Sequence, residues 1–135
     1  MTPSPADPRP SAVTAAFWCW LAGAALLIVG GVFTVAVPVP AIFRGIGLLG
    51  ALAGALLALA AGRTRDGDPR ARRAAIALSL AIVVVVAADA VFGGVVNVLT
   101  LVALLPLIAG TVTVRTPAAQ AWFDAAQARF DREAR

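Results

Sequence analysis

The sequence predicts an all-α polytopic membrane protein, with four transmembrane helices in two tight hairpins followed by a C-terminal amphipathic interfacial helix. Three observations carry that expectation. Four apolar segments, Ala15 to Val37, Ile42 to Ala61, Ala74 to Phe92 and Val95 to Val114, each approach the roughly 20 residues needed to cross a ~30 Å hydrocarbon core. They are continuous Leu, Val and Ala runs without the alternation of a barrel strand, and in lipid only a helix or a closed barrel satisfies its own backbone. Charged residues make up only 13% of the chain, too little polar surface to cover a soluble core of this apolarity.

Residues 1–13 hold Pro3, Pro5, Pro8 and Pro10 among Ser, Thr and Asp, a composition that predicts a disordered cytoplasmic tail. Residues 14–115 form the membrane domain. Its first span is about twice the length of a signal-peptide h-region, and Arg9 before it is balanced by Asp7, so an uncleaved anchor is expected. Phe17, Trp18 and Trp20 at its start predict an interfacial aromatic belt around Cys19. Cys19 is the only cysteine; it has no intramolecular disulfide partner and reads as a small hydrophobe.

Pro38-Val39-Pro40 ends the first span, because each proline removes a donor and disfavours helix in the residue before it. The second span carries small residues at four-residue spacing (Gly50, Gly54, Ala58, Gly62) and at seven (Gly47, Gly54, Ala61). The first offers Ala16, Gly23 and Gly30. Small residues at such spacings let helix backbones approach closely in lipid, so the expectation is packing between the first two spans, with homodimerisation as the alternative.

In the loop that follows, Asp66-Gly67-Asp68 resembles the opening of the CDP-alcohol phosphotransferase signature. Ala71-Arg72 comes one residue too late for that pattern, and its later Gly and two Asp are missing, so a solvated loop is expected. Gly93-Gly94 turns the third span tightly into the fourth. Pro106 removes one backbone bond and predicts a kink near Val102. Residues 116–135 begin with Thr116 as cap and Pro117 at the first helical position, and they set Ala119, Trp122, Phe123, Ala126 and Phe130 on one face. This pattern predicts a helix lying on the membrane surface; a helix that docks on a protein partner carries it too.

Polar groups at membrane depth cost about 2.5–3.5 kcal/mol each at a helix centre unless paired or wet. Arg44, Asp89 and Asn97 fall at one depth near one end of their spans. They predict a cluster, either a structural Arg44–Asp89 pair capped by Asn97 or a proton or cation site at Asp89.

All eleven basic residues are arginines, and Arg44 alone, near the start of the second span, falls on one side; the other ten flank the opposite ends. The positive-inside rule then predicts a bacterial plasma-membrane protein with both termini and the middle loop cytoplasmic. Orientation and contact with anionic lipid account for the basic charge, so no nucleic-acid partner is invoked. The chain has no His and no Lys, which excludes histidine-ligated haem, histidine general bases and the phosphate-loop lysine, and a lone Cys makes no zinc site. No catalytic residue, metal or cofactor is predicted.

Phe17-Trp18-Cys19-Trp20-Leu21, the Arg/Asp loop from Arg63 to Arg73, and Pro117-Ala118-Ala119-Gln120-Ala121-Trp122-Phe123 together resemble the small four-span membrane proteins of actinobacteria, over nearly the full length. That resemblance implies the fold and the membrane but no mechanism, because most such proteins have no assigned activity. Two function classes follow. The first is a non-catalytic accessory or scaffold subunit of a membrane assembly, partnered by lipid and by a membrane protein or a second copy. The other is a small oligomeric transporter or flippase using Asp89. Against the transporter, the first span has no ionisable residue like the Glu of small multidrug exporters, and the two hairpins repeat in parallel rather than inverted topology.

Overall fold

The computed structural model describes residues 10–91 and 98–134, with Phe130 described by its backbone alone. The Pro-rich stretch of the N-terminal tail through Arg9, the Gly93-Gly94 turn and Asn97 lie outside the described residues. Among the described residues all regular structure is helical: α1 Ser11–Ala36, α2 Ala41–Arg65, α3 Pro69–Val91, α4 Val98–Thr113 and α5 Pro117–Glu133. The first three are long and apolar enough to cross a membrane. α4, of 16 residues, meets α5 at a bend of 66°, and the count becomes four if that bent pair is one span.

The helices outrun the apolar segments at the arginine-rich end. α2 continues to Arg65 and α3 starts at Pro69, so most of the expected loop from Gly62 to Arg73 is helix. Hydropathy marks where lipid ends, whereas the helix ends where the backbone is capped. Arg63 and Arg65 also suit the negative end of the α2 dipole. The turn itself is tight. Gly67 N–H donates to the Thr64 carbonyl (3.1 Å) and Asp68 N–H to that of Arg63 (3.4 Å), a Schellman closure with Gly67 at φ +87°. Asp68 then caps α3 by accepting a 2.8 Å bond from Arg70 N–H, with Pro69 in the first helical position. The Asp-Gly-Asp triplet therefore punctuates two helices.

α1 is the hub. It packs most extensively on α2, next on α4, while α3 touches α2 and α4 less closely. Two small-residue rows, one residue apart and so rotated by about 100°, make this possible. A Cβ on Gly31 would collide with the Gly47 carbonyl of α2, and one on Gly54 would lie 2.8 Å from the Ala24 carbonyl. These contacts fix an antiparallel α1–α2 register. Gly23 and Gly30 instead face α4, where a Cβ would lie 2.8 Å from Leu107 Cδ2 and 3.0 Å from Thr100 Oγ1 respectively.

The core is concentrated at the arginine-rich end, where Trp20, Leu57, Leu107, Val114 and Phe123 are fully buried. Trp20 is thus not part of an aromatic belt. It lies across Gly110, where a Cβ would come within 2.8 Å of the indole, and only Trp18, 60% accessible, stays outward. The α5 face also departs from expectation. Ala119 and Phe123 are buried in the bundle, and Trp122 and Ala126 cover Gly67. α5 folds back over the bundle, so Ala119 and Phe123 of its apolar stripe are covered by protein while Trp122 and Ala126 stay half-buried. Thr116 precedes α5, yet its hydroxyl donates backward to the Thr113 carbonyl at 2.9 Å, closing the end of α4 rather than capping α5. α4 runs without interruption through Pro106.

Candidate functional site

Among the described residues the opposite half of the bundle is open. Because α3 stands away from α1, a groove of about 370 Å³ runs along α2 and α3 towards the end that bears Pro38 and Pro40. Its walls are apolar (Ile46, Gly50 and Val85 among them) apart from three side chains, Thr34, Asp89 and Thr100. The Thr34 hydroxyl already donates to the Gly30 carbonyl at 2.9 Å, as threonines in helices commonly do. Asp89 is half-buried in the groove wall, and among the described residues its carboxylate has no hydrogen-bond or ion-pair partner.

The structure does not bring Arg44 to Asp89. Arg44 is exposed and lies one residue beyond Phe43, which lines the groove, so it is turned about 100° round α2 towards the outside. The expected pair is therefore not formed within the chain. The reason is rotational: equal depth on two helices says nothing about which faces meet. Asn97, the third member of the expected cluster, lies outside the described residues.

The expected packing glycines separate into three groups. Gly47 and Gly54 meet α1, and Gly23 and Gly30 meet α4. Gly50 meets nothing within 4 Å and lines the groove instead. On α2 the buried positions are Gly47, Gly54, Leu57, Ala61 and Thr64, so the seven-residue row is the contact seam and the four-residue row drifts off it. Two contacts escaped the spacing argument. Gly31 sits beside Gly30 and was hidden by it; Gly110 has no partner glycine in sequence, and the bulk of Trp20, with the Cys19 Cβ beside it, requires it.

The arginine-rich end is tied by cations over rings. The Arg65 guanidinium lies 5.1 Å from the Phe17 ring centroid and that of Arg72 lies 4.8 Å from Phe123. Each such contact contributes on the order of 0.5–1 kcal/mol where exposed and more where desolvated. Phe17 and Phe123 each also meet a tryptophan edge-on, Trp18 and Trp122. Among the described residues two buried polar atoms, Trp20 Nε1 and Ser79 Oγ, have no partner. Among the described residues no three His, Cys, Asp or Glu side chains gather into a metal-binding group.

No protein-family model matches the chain, and neither a curated protein nor a solved structure is detectably similar to it.

Proposed function

We propose that this is a four-span protein of the bacterial plasma membrane, a non-catalytic accessory or scaffold subunit of a larger membrane assembly. The arginine-rich end faces the cytoplasm, with α4 as the fourth span and α5 as an amphipathic cap over the cytoplasmic mouth. One observation carries this reading: among the described residues the bundle closes at one end only, leaving α2 and α3 with a lateral groove that none of the described helices fills. The exposed Leu48, Leu52 and Leu56 of α2 and Val84 of α3 suit contact with lipid or with another membrane protein. The ten arginines on one side support the orientation.

A small transporter is the second reading, and Asp89 in the groove is the observation that favours it. Alternating access would require opening the Trp20, Leu57 and Phe123 core at the other end, which argues for the accessory role. Affinity purification of the full chain in mild detergent, with reconstitution of the product, separates the two. A companion membrane protein at fixed stoichiometry is expected. A chain that purifies alone and drives proton-linked uptake in vesicles, lost in Asp89→Asn, contradicts the accessory role.

A further inference from the structure

The Asp89 carboxylate combines three properties that together restrict what can sit beside it. Arg73 and Asp89 lie sixteen residues apart on α3, about 24 Å along a helix, so with Arg73 at one boundary of a ~30 Å core the carboxylate is still several Å inside the other. It faces a groove of about 370 Å³, within the roughly 300–1,000 Å³ of small-molecule sites. And among the described residues no cationic side chain lines that groove.

An apolar guest alone leaves an anion uncompensated at hydrocarbon depth, which costs a few kcal/mol. An inorganic cation needs several oxygen ligands, about six for magnesium or calcium, and among the described side chains that line the groove Asp89, Thr34 and Thr100 alone carry oxygen. A second copy would have to supply Arg44, yet that side chain stands exposed near the start of α2, from where an arginine of a membrane helix can snorkel to lipid phosphate. A monovalent cation carried on an apolar body meets every condition. Its charge offsets the carboxylate, its body replaces lipid against Ile46 and Val85, and it reaches the site from the bilayer.

We propose that the groove between α2 and α3 is a binding site for a lipophilic monocation, with Asp89 as its counterion and apolar side chains as its walls. This rests on the four-span membrane reading, and its test can fail without that reading failing.

The probe is tetraphenylphosphonium, measured by equilibrium dialysis against the full chain in nanodiscs of zwitterionic lipid, with triphenylphosphine oxide as a neutral companion. Saturable binding of one cation per chain is expected, with the neutral compound bound weakly and equally by wild type and Asp89→Asn. Asp89→Asn keeps shape but removes charge and should weaken cation binding at least tenfold. Val85→Phe keeps the charge but fills the groove; at a position 62% accessible it spares the packing, and it should weaken binding to a similar degree. Arg44→Gln should bind within twofold of wild type. The proposal is overturned if wild type shows no saturable binding or if Asp89→Asn binds as wild type does. It is also overturned if Arg44→Gln breaks a dimer and gains binding, since a second copy's arginine would then hold the carboxylate. Correct insertion of the same samples, shown by cysteine accessibility, confines any of these failures to the occupant.

Discussion

At the scale of single residues, packing turns on whether a glycine has a backbone or open space in front of it. A methyl on Gly54 would lie 2.8 Å from the Ala24 carbonyl, and backbone cannot move aside as a side chain can. Gly54→Ala should lower thermal stability in detergent by about 1–3 kcal/mol, the range for overpacking. Gly50, one turn away with nothing within 4 Å, should accept alanine neutrally or with a gain approaching ~1 kcal/mol in helix propensity. Equal melting shifts for the two variants would contradict the α1–α2 register. Ser79 offers a test of the opposite sign. Its hydroxyl is buried without a partner, and such a group costs about 1–3 kcal/mol in desolvation, so Ser79→Ala should leave the melting temperature unchanged or raise it. A clear drop would mean that the hydroxyl has a partner in the membrane.

At the scale of elements, the deciding matter is where α5 puts its apolar stripe. With Phe123 buried to 1% accessibility and stacked under Arg72, the helix is part of the bundle. Phe123→Ala should then destabilise the whole domain by about 3 kcal/mol and raise amide exchange along α5 and around Gly67. Trp18→Ala, at a ring that is 60% accessible, should change stability little. An unchanged melting temperature for Phe123→Ala would mean that α5 rests on lipid. The periodicity of α5 was readable because a 3.6-residue stripe is intrinsic to the helix, but lipid and protein both satisfy an apolar stripe, and nothing in the spacing chooses between them. Trp20 shows the same limit. An aromatic near the end of a span suits a headgroup belt, and only Gly110 on a distant helix turns it inward.

For the whole molecule, the three long apolar helices were legible because continuous apolar runs of this length leave a chain few choices; their termini and mutual rotation were not. Arg63 and Arg65 end the apolar run but not the helix, since arginine is a good helix former and the Gly67 turn supplies the stop. Arg44 and Asp89 were matched by residue count along their spans, but they occupy faces that sequence could not show, because rotation about the helix axis is set by small residues such as Gly31 and Gly47 meeting across the α1–α2 seam. The groove follows from that rotation together with the loose seating of α3, so it had no sequence signal beyond Asp89 itself. The central claim is a four-span bundle whose arginine-rich end faces the cytoplasm. Membrane-impermeant maleimide labelling of single cysteines at Val39, Gly67 and Glu133, in a Cys19→Ser chain in intact cells, tests it most directly. The account predicts labelling at position 39 alone, with positions 67 and 133 reacting only after the membrane is opened. Labelling of position 133 in intact cells would place the C-terminus outside and leave three spans, and labelling of position 67 would invert the molecule.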